Sequence, residues 1–240
     1  MSFRNTLRRA LGLAAAVFAL HPAASTAVDA DFYINSSARG IELAQWRRMS
    51  QLSLERVKRS REATGVAPAA AAGTSTVFTP QRAPGAGARM LAATYPESKR
   101  EQAAKVFLQL LGKYGELESK LGVQHNDLAG AMAAYVYANY SVMHDQDVPD
   151  EHFPPLVAQM QRFIGGSEEF ARMSDADKQD LYEQTAIVGM LMATSRLSTK
   201  SRPRPQVMAQ MKTAARHHLE QVLHTDANRV EITASGLVVH

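Results

Sequence analysis

The sequence predicts a mainly α-helical fold, a bundle-like domain of about five helices with a short C-terminal β-hairpin, and three observations predict it. Between residues 96 and 223, apolar residues recur at spacings of three and four, as they do on helices that bury one face. Capping residues and prolines punctuate that stretch at helix-length intervals. Beyond residue 228 the pattern changes to two β-branched runs, Arg229-Val230-Glu231-Ile232 and Leu237-Val238-Val239, around the Gly-containing turn Thr233-Ala234-Ser235-Gly236.

Residues 1–27 read as a cleavable signal peptide. Arg4, Arg8 and Arg9 precede an apolar run from Ala10 to Leu20, Pro22 breaks it, and Ser25-Thr26-Ala27 supplies small residues for cleavage after Ala27. The run is about half of the ~20 residues that cross a bilayer. A periplasmic or secreted chain without a transmembrane span is therefore expected. The 240 residues include no cysteine, which removes disulfides, thiolate metal sites and a cysteine nucleophile from consideration. Cleavage would remove three arginines and no acid, so the formal charge falls from +4 to +1, too little for a global case for nucleic-acid binding.

Residues 28–62 form a basic segment, with a short extended piece at Phe32-Tyr33-Ile34 and a helix over 41–61. Arg39, Arg47, Arg48, Arg56, Lys58, Arg59 and Arg61 stand against Glu42 and Glu55. One reading gives Arg47, Arg48, Arg56, Lys58 and Arg59 to anionic envelope surfaces, with Trp46 as an interfacial anchor. The favoured reading is a solvated helix, because Ile41, Leu43, Met49, Leu52 and Val57 do not gather on one face. Residues 63–90 are rich in Ala, Gly, Thr and Pro and read as a flexible linker.

The helical domain is placed at 91–240. Thr94-Tyr95-Pro96-Glu97 marks its first helix start, followed by a stripe of Ala103, Val106, Phe107, Leu110, Tyr114, Leu117 and Leu121. Asn126-Asp127 opens a second helix, with Leu128, Met132, Tyr135 and Met143 on one face. Pro154-Pro155 opens a third, closed by Gly165-Gly166. Ser174-Asp175-Ala176-Asp177 caps a fourth, whose stretch Ala186 to Ala193 is apolar all round and so belongs at the centre of the bundle. Pro203 and Pro205 precede a fifth, reaching Leu223.

Three runs in this domain resemble a known family: Gly122-Val123-Gln124-His125-Asn126-Asp127-Leu128-Ala129, Tyr137-Ala138-Asn139-Tyr140, and Asp177-Lys178-Gln179-Asp180-Leu181-Tyr182-Glu183. The sequence is similar to an exported bacterial domain of unknown function, number 6683, from about Phe78 to Gly236-Leu237. That resemblance supports export and the domain's extent and implies no activity.

Candidate binding residues are Asn126, Asp127, Asn139 and Tyr140. Asn139 falls in the middle of an apolar stripe, where an amide needs partners or costs on the order of 1–3 kcal/mol. A bond to a neighbouring helix is the favoured reading, a ligand contact the alternative. Asn126 and Asp127 suit a helix N-cap. His144, Asp145, Asp147, Asp150, Glu151 and His152 fall within nine residues, and His144, Asp147 and His152 are the candidate metal ligands, against the favoured reading of a solvated acidic loop. His217 and His218 are adjacent and point about 100° apart, so they do not grip one ion. No esterase elbow, phosphate loop or dinucleotide fingerprint is present, and no cofactor is expected. The function expected is non-catalytic binding of an unidentified protein or envelope component, with no nucleic-acid partner. The alternative is a metal-assisted hydrolase built on the His144 to His152 loop.

Overall fold

A computed structural model describes residues 73–240. Its elements are α1 (Ala86–Ala93), α2 (Glu97–Leu121), α3 (Leu128–His144), α4 (Phe153–Gly165), α5 (Glu168–Arg172), α6 (Asp175–Ser201), α7 (Pro205–Leu223), β1 (Val230–Thr233) and β2 (Gly236–Val239). The fold is mainly α, with an antiparallel hairpin that pairs Val230 with Val239 and Thr233 with Gly236. No described helix is long and apolar enough to cross a membrane.

Two helices form the centre. On α6, Ala186 to Met192 are all buried, as their unbroken apolar run predicts. On α3, every residue from Leu128 to Val142 except Ala134 is buried. The two cross closely at Gly189, where a Cβ would come within 3.1 Å of the Tyr135 backbone. Around this pair pack α1, α2, α4 and α7. The hairpin docks on α4 through Gln159, whose Oε1 accepts from Leu237 N (2.6 Å) and whose Nε2 donates to Leu237 O (2.9 Å).

Asp127 joins three distant parts of the chain. It caps α3 by accepting from Ala129 N (2.9 Å), takes the Thr76 hydroxyl on the same oxygen (2.6 Å), and takes Gln161 Nε2 of α4 on the other (2.9 Å). The backbone beside it is bonded too, with Leu128 N donating to Thr76 O and Phe78 N to Asn126 O.

Seven α-helices stand among the described residues where five were expected over 91–240, and the two additions have identifiable causes. Ser167, the residue after the Gly165-Gly166 terminator, caps the short α5 by accepting from Phe170 N (3.3 Å). The other addition, α1, lies largely in the stretch assigned to a flexible linker. From Gly73 onward that stretch is packed against the domain: Phe78 is buried, and a Cβ on Gly87 would meet the Glu183 Cβ at 2.6 Å. Its small residues permit close approach rather than freedom. Thr94, expected to cap the next helix, instead closes α1 by donating to Leu91 O (2.7 Å), and α2 starts after Pro96 without a side-chain cap. The expected leader (1–27), the basic segment (28–62) with Arg47, Arg48, Arg56, Lys58 and Arg59, and residues 63–72 lie outside the described residues.

Candidate functional site

A groove of about 390 Å³ runs between α2, α6 and residues 73–85, an N-terminal strap that precedes α1. The α2 side presents Leu108, Leu111, Gly112, Gly115 and Glu118 at the three-and-four spacing of one helix face. Gln179, Tyr182 and Glu183 face them from α6, Phe78, Pro80 and Pro84 come from the strap, and His125 and Asn126 close one end. A Cβ added to either Gly112 or Gly115 would meet nothing within 4 Å. Each glycine costs a helix interior roughly 0.8–1.0 kcal/mol relative to alanine. Here that cost accompanies open space along the α2 wall.

Two buried carboxylates lie along the groove. Glu183 Oε2 accepts from Gly85 N (3.0 Å) and Gly87 N (2.8 Å), while its Oε1 accepts from Gln179 Nε2 (3.0 Å). It thereby places an anion at the start of α1, where free amides and the helix dipole favour one. Glu118 is 1% exposed. The Tyr182 hydroxyl donates to its Oε1 (2.8 Å), and His125 Nδ1 lies 2.9 Å from its Oε2. Burial pushes the Glu118 carboxyl above its ordinary range, against the bonds from His125 and Tyr182, which favour the charged form. Tyr182 is raised by burial and by the neighbouring Glu118 charge, so its phenol holds its proton.

Ser119 Oγ lies 3.0 Å from His125 Nε2, which completes a Ser–His–Glu row. Its surroundings oppose nucleophilic use of the serine. Ser119 sits in the last turns of α2, its hydroxyl also reaches Gly115 O (3.3 Å), and the carbonyl end of a helix repels the negative charge that acyl transfer develops. The row serves better to hold His125 against Glu118 at the groove mouth.

The other candidates are placed as follows. Asn126 lines the groove from a left-handed backbone (φ 61°), and Asp127 is the α3 cap described above. Asn139 is fully buried and bonded within the bundle: Nδ2 donates to Tyr135 O (2.8 Å), and Oδ1 lies 2.9 Å from His218 Nδ1 of α7. Tyr140 packs its ring on His144 (4.4 Å between centroids) and accepts weakly from Gln146 Nε2. The ligand set of His144, Asp147 and His152 does not assemble, and no group of three or more His, Cys, Asp or Glu side chains among the described residues is placed to share an ion. The loop carboxylates are drawn to cations instead. Asp147 meets Arg196 Nη1 (2.8 Å) and Lys200 Nζ (2.7 Å), and Asp145 lies 3.6 Å from Arg196 Nε. His144 is held below its usual range by burial, then by Arg216 and Lys212.

A family model described as "Family of unknown function (DUF6683)" matches residues 6–240. The chain belongs to that family. The match reaches well upstream of the Phe78 start of the resemblance, so the groove, the N-terminal strap and the basic stretch all fall inside it. No curated protein and no solved structure matches the chain.

Of the groove residues in this family member, Asn126 is a candidate on its sequence alone, whereas Gly112, Gly115, Glu118, Tyr182 and Glu183 become a site only in the fold. A signal for Glu118 was present. It stands four residues after Tyr114 and eleven after Phe107, a charge on the face that those aromatics bury.

Proposed function

We propose that the protein is an exported, non-catalytic binding protein of the cell envelope, whose helical domain takes a small, largely apolar ligand group into the groove between α2 and α6. The observation that carries this reading is the open face at Gly112 and Gly115. A helix that presents two glycines to an apolar-walled groove gives up intrinsic stability where any side chain would fill the space. The groove also falls in the volume range of small-molecule sites, with a few polar groups converging at one end. The N-terminal arginine, apolar and small-residue pattern supports export, and the basic stretch 39–61 supports attachment to an anionic surface.

The groove is tested with the neutral fluorescent probe N-phenyl-1-naphthylamine. The purified protein should enhance its emission. A double variant, Gly112→Leu with Gly115→Leu, should weaken probe binding at least about tenfold, which corresponds to about 1.4 kcal/mol. Because both positions are open and leucine is the better helix former, that variant should melt no lower than the parent. Equal binding by parent and filled variant would overturn the reading. Attachment is tested separately by fractionating cells that make the protein with and without residues 39–61. The parent should begin at Val28 and sediment with envelopes at low salt, and the deletion should shift it to the soluble fraction. An unprocessed N-terminus would end the export reading, and unaltered sedimentation the attachment reading.

A further inference from the structure

The charges around the groove narrow the class of molecule that fits it. None of the residues that line it is lysine or arginine, whereas two of them, Glu118 and Glu183, are carboxylates. Arg82, on the strap beside it, is held by Asp180. Glu183 has its charge offset by two backbone amides and a glutamine at the head of α1. Glu118 has two phenols, those of Tyr182 and Tyr114, and an imidazole, with no backbone amide and no guanidinium or ammonium group among them. His125 Nδ1 lies against the carboxylate at 2.9 Å, and no lysine or arginine among the lining residues stands beside it. With three partners on about four lone-pair sites, the carboxylate has room for one further donor. The carbonyl end of α2 adds negative potential at the same place, since the helix closes at Gly122 one turn beyond Glu118.

We infer that the groove binds an amphipathic cation: an apolar chain or ring carrying a primary amine or similar cationic head. The apolar body lies along Pro80, Pro84, Leu108 and Leu111, and the head lies at the Glu118–His125 end. This inference rests on the reading of the groove as a binding site and adds the sign of the ligand's charge. A carboxylate or phosphate head of the same size would face two buried carboxylates with no lining cation to offset them, and a neutral head would gain only a hydrogen bond.

The test is displacement of N-phenyl-1-naphthylamine from the purified protein at neutral pH and fixed low ionic strength by octylamine, octan-1-ol and octanoate, all below their aggregation concentrations. Octylamine should displace the probe at about one tenth of the octanol concentration, the advantage expected of a charge-assisted hydrogen bond over a neutral one, and octanoate should be the weakest. Two substitutions should bring octylamine to within about threefold of octanol: Glu118→Gln, which removes the charge, and Gly115→Lys, which puts a cation on the rim one helical turn from Glu118 at a position where a Cβ meets nothing within 4 Å. The rim variant leaves the buried network untouched, so it stays informative if Glu118→Gln unfolds. If the probe binds and is lost from the Gly112→Leu, Gly115→Leu variant, yet amine and alcohol displace it equally or octanoate does best, the inference about charge fails while the groove reading survives. If the probe binds neither the parent nor any variant, both fail.

Discussion

Replacing Asn139 by alanine is expected to lower the unfolding free energy by about 3 kcal/mol in urea titrations of the full chain. Asn139 has no exposed surface, and its amide spans two helices, donating to Tyr135 O on α3 and facing His218 Nδ1 on α7. Truncation deprives the buried imidazole N–H of that acceptor, a loss of about 1–3 kcal/mol, and leaves a void that the close-packed centre fills only in part. A cycle with His218→Phe separates the two effects. If the amide–imidazole bond supplies most of the loss, the double variant should be more stable than the sum of the single changes by about 1 kcal/mol or more. Single variants within about 0.5 kcal/mol of the parent, or strict additivity, would show that this polar contact contributes little.

Gly189→Leu should destabilise at least as much, by about 3 kcal/mol or more, for a different reason. A Cβ at this position would lie 3.1 Å from both the Cα and the N of Tyr135 and 3.4 Å from the carbonyl carbon of Ala134, all of them backbone atoms that no rotamer change can move aside. The added branch would force the central pair apart and disturb every layer that packs on it. Gly189→Ala provides the graded comparison. Its strain is partly offset by the roughly 0.8–1.0 kcal/mol that alanine gains over glycine in a helix, so its loss should be much smaller. Thermal melts of the series check the order parent, alanine, leucine. A leucine variant that melts with the parent would mean that the two central helices are free to separate.

Much of this architecture is legible in the residues, and the exceptions share a physical cause. Periodicity and capping chemistry locate α2, α3, α4, α6 and α7, because each buries one face or all faces and starts at a proline or a side-chain acceptor. Ser174 and Asp127 cap as their identities imply. What the pattern hides is tertiary. Ala86 to Ala93 carries few large side chains, so its composition resembles a linker, and its place is set by Gly87 fitting beneath Glu183. The same limit applies to the groove. Its distinguishing marks are glycines facing empty space and carboxylates held by residues 64 and 98 positions away, and neither mark has a local period. Conversely, the dense run of acids and histidines from His144 to His152 looked chemical in one dimension. Asp147 in that run answers Arg196, a guanidinium only 5% exposed and far along the chain.

The three-way junction at Asp127 limits where this chain can be cut. A fragment starting at residue 91, the boundary that composition suggests, would discard Thr76 and with it one donor to a fully buried carboxylate, and would strip Leu128 N of its acceptor. Phe78 would go as well, uncovering the Tyr182 ring. Trimmed expression clones, limited-digestion maps and any transplant of this domain onto another scaffold should therefore keep the polypeptide from Gly73 onward in one piece.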